Sequence, residues 1–139
     1  MLISLPLLDE LISHAREEAP NECCGVVAVE AGSPMRAATV HRAVNIAASP
    51  LRFEVDGRQL LQTIEEIEGA GSELGAIYHS HTRSEPYPSQ TDVNFAAGWP
   101  GVEWLIVGLA GEDEPEVRSF RIEDGRVTEV SISRDGPDG

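Results

Sequence analysis

The run Leu74 to Tyr78 is largely apolar and passes without a break into His79-Ser80-His81, after which Pro86 and Pro88 forbid any further strand. Such a stretch reads as a β-strand that delivers two histidines. Side chains two apart on a strand point the same way, so the imidazoles of His79 and His81 share one face while Ser80 looks away. Ser89-Gln90-Thr91-Asp92 then leads into Val93, Phe95 and Ala96. Two imidazoles and a carboxylate are ligand types that hold Zn²⁺ with one position open, so His79, His81 and Asp92 read as a metal site.

Other readings of these residues stand beside that one. Ser89 and Asp92 also fit the start of a helix, with Ser as N-cap and the acid in the first turn. The two roles are compatible, because a helix N-terminus is a rigid place from which to hold a ligand. Glu22 reads either as a solvated strand-end carboxylate or as a half-buried base whose pKa is raised by the apolar run beside it. Composition alone favours the first. Cys24 could offer a thiolate to zinc, yet a buried free cysteine is more often a small core residue. His14 and His41 lack ligand spacing and read as structural.

Taken in order, Leu7, Leu8, Leu11, Ile12 and Ala15 recur at helical spacing and predict an amphipathic helix ending near Pro20. Glu22 to Val29 predicts a buried strand, and Arg36 to Val44 a second one, turning at Asn45 and at Ser49-Pro50. Asp56 can cap a helix, with Gln59 in the reciprocal position and Leu60, Leu61, Ile64 and Ile67 as its buried stripe. The histidine strand and the Asp92 helix follow, the latter closing near residues 98–101. Trp104 to Leu109 reads as a central strand, Gly111 to Pro115 as an acidic turn, and Val117 to Ile122 with Val127 to Ile132 as a hairpin around Asp124-Gly125. Residues 1–133 form one α/β domain with a mixed sheet packed by helices, and Arg134 to Gly139 is expected to be a frayed tail.

The chain has 139 residues, 41% of them hydrophobic, enough for one core. Ten arginines, no lysine and a formal charge of −14 make a surface that repels phosphate backbones and acidic headgroups, which argues against nucleic-acid and membrane partners. There is no apolar run of about 18 residues to span a bilayer. The first residues lack the basic start of a signal peptide, and Cys23 and Cys24 are adjacent, a spacing of no use for crosslinking. A reducing cytoplasm is the expected location.

His79-x-His81, seven residues, Ser89, two residues and Asp92 together resemble the motif of the JAMM (MPN+) zinc metallopeptidases, and Glu22-Cys23-Cys24-Gly25 resembles the context of that family's catalytic glutamate. The similarity extends over nearly the whole chain, closest to the bacterial Mec-type members. It implies the JAMM/MPN fold, deaminase-like in outline, and one Zn²⁺ per chain on His79, His81 and Asp92. It further implies Glu22 as the base and Ser89 as hydrogen-bond donor to the oxyanion. The implied reaction is hydrolysis of the amide bond after the terminal glycine of a ubiquitin-like sulfur-carrier protein, with release of cysteine. The carrier's Gly-Gly tail would lie extended along a sheet edge. Thr82 stands where many members have proline, a change the Mec-like subgroup tolerates. The alternatives are a non-catalytic MPN-type scaffold and a JAMM peptidase of a different substrate. A scaffold would be expected to have lost ligands, and none is missing. A zinc deaminase would need a Cys-x-x-Cys pair that the chain lacks, and a barrel hydrolase about 250 residues.

Overall fold

Gly75 to His81 is a continuous buried stretch that ends in the two histidines, and it runs through the middle of a sheet. The computed structural model describes residues 1–32, 34–110 and 114–135. In chain order they form β1 (Leu2–Ser4), α1 (Leu5–Glu18), β2 (Cys24–Glu30), β3 (Ala37–Ala43), α2 (Gly57–Gly69), β4 (Ser72–His81) and α3 (Gln90–Ala96). Then come β5 (Glu103–Gly108), β6 (Glu116–Glu123), β7 (Arg126–Val130) and β8 (Ser133–Asp135). The main sheet has the order β3-β2-β4-β5-β6-β7. Only β4 and β5 run parallel within it, because residues 82–102 with α3 supply the crossover that parallel neighbours need. The expected α/β domain with a mixed sheet is the one observed.

Alternation along the strands divides the core between two faces. Cys24, Val26, Ile77, Trp104, Ile106 and Phe120 meet Leu60 and Ile67 of α2 and Ala96 of α3. Cys23, Val27, Ala76, Tyr78, Leu105 and Val107 meet Leu11 and Ala15 of α1. His79 and His81 have the parity of Ile77 and therefore belong to the α2/α3 side. Among the described residues, no helix is long and apolar enough to cross a membrane.

The helix ends follow local chemistry. Asp56 accepts from the N–H groups of Arg58 and Gln59, supplying its half of the expected cap. Asp124 and Gly125 take φ of 50° and 76°, the left-handed pair of a tight hairpin turn.

Four expectations need correction or restriction. Leu61 is 60% exposed rather than part of the α2 stripe, since Leu60, Ile64 and Ile67 already fill the face toward the sheet. Glu22 precedes β2 instead of opening it. Arg134 and Asp135 belong to β8, which pairs in parallel with β1, and Arg36 forms an ion pair with Asp135. Residues 136–139 of the expected tail, and 111–113 of the acidic turn, lie outside the described residues.

Candidate metal centre

The end of β4 points two imidazole nitrogens at one carboxylate oxygen. His79 Nε2 and His81 Nε2 are 3.0 Å apart, and Asp92 Oδ2 stands 3.1 Å from the first and 3.2 Å from the second. Asp92 reaches this position because it is the third residue of α3. Ser89 caps that helix: its hydroxyl accepts from the Asp92 N–H at 3.1 Å, while its own N–H donates to Asp92 Oδ2 at 2.9 Å. The capping box and the convergence with the imidazoles therefore coexist, and the same oxygen serves both.

Three such atoms can crowd together only around a cation, either a proton or a metal ion. His81 Nδ1 donates to the carbonyl of Glu85 at 2.9 Å, which leaves the Nε2 lone pair free to face Asp92 and His79. His79 is fully buried, its ring stacked on Phe53, and its Nδ1 has no partner among the described residues. Burial lowers its pKa, so it is neutral and offers a lone pair. Burial alone would raise the Asp92 carboxyl, but its close contacts with His79 and His81 and the N–H of Ser89 outweigh it, lower its pKa and keep the group ionised. The edges of the triangle are close to the ~3.3 Å expected for one face of a tetrahedron with zinc–nitrogen bonds near 2 Å. The donor set fits such an ion.

Glu22 stands beside this triangle. It is 5% exposed, and one of its carboxylate oxygens lies within 4.8 Å of one ring nitrogen of each histidine. Glu22, His79 and His81 are thus themselves a group that could hold a metal ion. Asp92 makes the hydrogen-bonded contacts to both imidazoles, and Glu22 is the looser neighbour. Burial, opposed by His81 and reinforced by Asp92, pushes its pKa up from 4.5 to about 7. The solvated strand-end reading of Glu22 does not hold.

The segment carrying Glu22 is fastened from several sides. Cys23 N–H donates to Ser80 Oγ at 2.8 Å, and Thr82 Oγ1 donates to the Pro20 carbonyl at 2.9 Å. Ser80 does look away from the histidines, and it uses that direction to hold the neighbour of Glu22. Cys24 stays in the core with its thiol pushed up to about 12 by burial, so it offers no thiolate. His14 bonds the Tyr78 hydroxyl at 2.7 Å and His41 bonds Thr39 at 2.8 Å, both apart from the cluster. Phe53, Asn45 and the Glu85 carbonyl complete the surroundings. Residue type gave no signal for them, because Glu85 acts through its backbone carbonyl, Asn45 through an amide bonded only to backbone atoms, and Phe53 through ring stacking.

A mixed sheet between helices, with a three-sided nest of donors at the end of its central strand, defines a class of α/β domain whose site could hold a metal ion. Residues 4–123 match the family described as prokaryotic homologs of the JAB domain. The chain belongs to that family. It is 35% identical over 133 residues to the CysO-cysteine peptidase of Mycobacterium tuberculosis, covering 96% of this chain and 90% of that one. It is 41% identical over 109 residues to the desampylase of Haloferax volcanii, covering 74% and 76% of the two chains. In structure it is similar to a protein from Desulfitobacterium hafniense, with a TM-score of 0.86, 28% identity and coverage of 96% and 92%.

Proposed function

We propose that the protein is a zinc metallopeptidase that hydrolyses the amide bond after the C-terminal glycine of a ubiquitin-like sulfur carrier and releases cysteine. The observation that carries this reading is the triangle of His79, His81 and Asp92 with a raised, buried Glu22 beside it. Similarity to a CysO-cysteine peptidase along almost the whole chain supports the substrate. Similarity to a probable TtuB-protein conjugate cleaving protease of Thermus thermophilus supports a second substrate, a carrier protein joined to another protein. Two free, adjacent cysteines fit a reducing compartment such as the cytoplasm.

His79 Nε2, His81 Nε2 and Asp92 Oδ2 would hold the ion. Bound there, zinc supplies Lewis acidity, which polarises a carbonyl and brings the pKa of water to about 7. Glu22 stands close to its own titration point at neutral pH, so it can take the proton of the attacking water and return it to the departing amine. The C–O bond forms, the C–N bond breaks, and the proton moves by way of one carboxylate. Ser89 Oγ accepts from the Asp92 N–H, which leaves its hydroxyl proton free to donate to the carbonyl oxygen as that atom gains charge.

The test is to incubate the purified protein with a carrier–cysteine conjugate and with a carrier–protein conjugate, with and without chelator, and to follow the products by mass. Loss of one cysteine from the carrier, stopped by chelator, is the expected result. Cleavage of the protein conjugate alone would select the second substrate. Intact conjugates in both arms would refute the peptidase reading.

A further inference from the structure

Asn45 stands in the loop between β3 and α2 with its amide fully used. Its Nδ2 donates to the carbonyl of Glu22 at 2.9 Å and of Arg52 at 3.1 Å, while its Oδ1 accepts from the N–H of Ala47 at 3.1 Å and of Glu54 at 3.0 Å. One side chain thus closes residues 45–54 on themselves and ties them to the backbone of Glu22. The loop holds Glu22 from its other side too, because the Ser49 carbonyl accepts the Glu22 N–H at 2.9 Å. Glu22 precedes β2 and has no ladder partner, so both of its backbone polar groups depend on the loop that Asn45 knits.

We propose that Asn45 is a positioning residue that sets where the Glu22 carboxylate stands relative to His79 and His81. Removing its amide leaves two carbonyls and two N–H groups without their partner, and the loop must rearrange to satisfy them. A shift of about 1 Å in a catalytic group is enough to cost on the order of 10²-fold in rate. The kinetic part of this inference rests on the peptidase reading, whereas the positional part stands on the hydrogen bonds alone.

Two variants test it. Asn45→Asp keeps both acceptor bonds and sets an oxygen against two carbonyls. Asn45→Ser is the milder change, used if the first does not fold. By NMR-detected exchange, the Glu22 N–H should exchange at least ~10-fold faster in either variant, while the β4–β5 ladder keeps its wild-type rates. Metal content should be unchanged. With carrier conjugate, kcat should fall ~10-fold with KM within about twofold, and the same substitution in a Glu22→Gln background should cost less than about twofold more. Wild-type exchange at Glu22 in a folded variant would overturn the proposal. An equal loss of turnover with and without the Glu22 carboxylate would overturn it as well. If the wild-type protein cleaves no conjugate, the peptidase reading fails, and exchange at Glu22 alone decides the role of Asn45.

Discussion

The phenyl ring of Phe53 lies over the imidazole of His79, with centroids 4.5 Å apart and planes inclined by 26°. Because His79 Nδ1 has no hydrogen-bond partner among the described residues, this stack supports the ring where no polar contact does, and only Nε2 is fixed by His81 and Asp92. Phe53→Leu keeps an apolar group but removes the flat support. Metal affinity, read by competition with a chromogenic chelator, should fall about 10-fold, the low end for losing a group that orients a ligand. Unchanged affinity would show that the backbone of β4 suffices.

Glu22 gives a pH signature in the metal-free protein. Burial raises its pKa from 4.5 to about 7, so the folded state holds a proton that the unfolded chain has already lost. The stabilisation is therefore complete below about pH 4.5 and is lost as the pH rises through about 7. Glu22→Gln does not titrate. Its melting temperature should exceed the wild-type value by a margin that grows between those two limits and is constant above them. In the metal-loaded protein, the same variant should keep its ion and lose about 10²–10⁴ in turnover.

Gly108 ends β5 against Pro86. A Cβ added there would come within 2.8 Å of the Pro86 ring, so Gly108→Ala must push the 82–88 segment outward. That segment carries the Glu85 carbonyl that fixes His81 Nδ1. The expected outcome is a loss of about 10- to 100-fold in metal affinity with far-UV circular dichroism unchanged. Wild-type affinity would mean that Pro86 yields without moving Glu85.

On α2, two apolar residues of similar size should behave differently. Ile67 is 2% exposed and Leu61 is 60% exposed. Ile67→Ala should destabilise by about 2–5 kcal/mol in urea titration. Leu61→Ser should stay within about 0.5 kcal/mol. A comparable loss from both would place Leu61 in an unrecognised contact.

The parts that were legible in the sequence rest on short-range regularities. Short continuous apolar runs identified β4 and β5, and a fixed three-residue offset identified the Ser89–Asp92 cap. The spacing of His79, His81 and Asp92 carried the family resemblance. What could not be read depends on partners distant in sequence. β1 and β8 have three residues each and pair across almost the whole chain, so neither shows a pattern. Leu61 fits the helical period as well as Leu60 does, and only the width of the packed face decides between them. Asn45 looked like an ordinary turn residue because its four bonds all go to backbone atoms, which residue type does not report.

β4 is hydrogen-bonded along both edges and covered on both faces, so its imidazole-bearing end cannot adapt to what is brought to it. Discrimination among incoming proteins then falls to the unladdered stretches around it, residues 44–56 and 82–89. The first of these displays Val44, Ile46 and Leu51 to solvent. Exchanging only Val44, Ile46 and Leu51 for the residues of a relative should therefore retune selectivity, while Asn45, Phe53, Glu85 and Ser89 stay in place and the bond-breaking apparatus is kept.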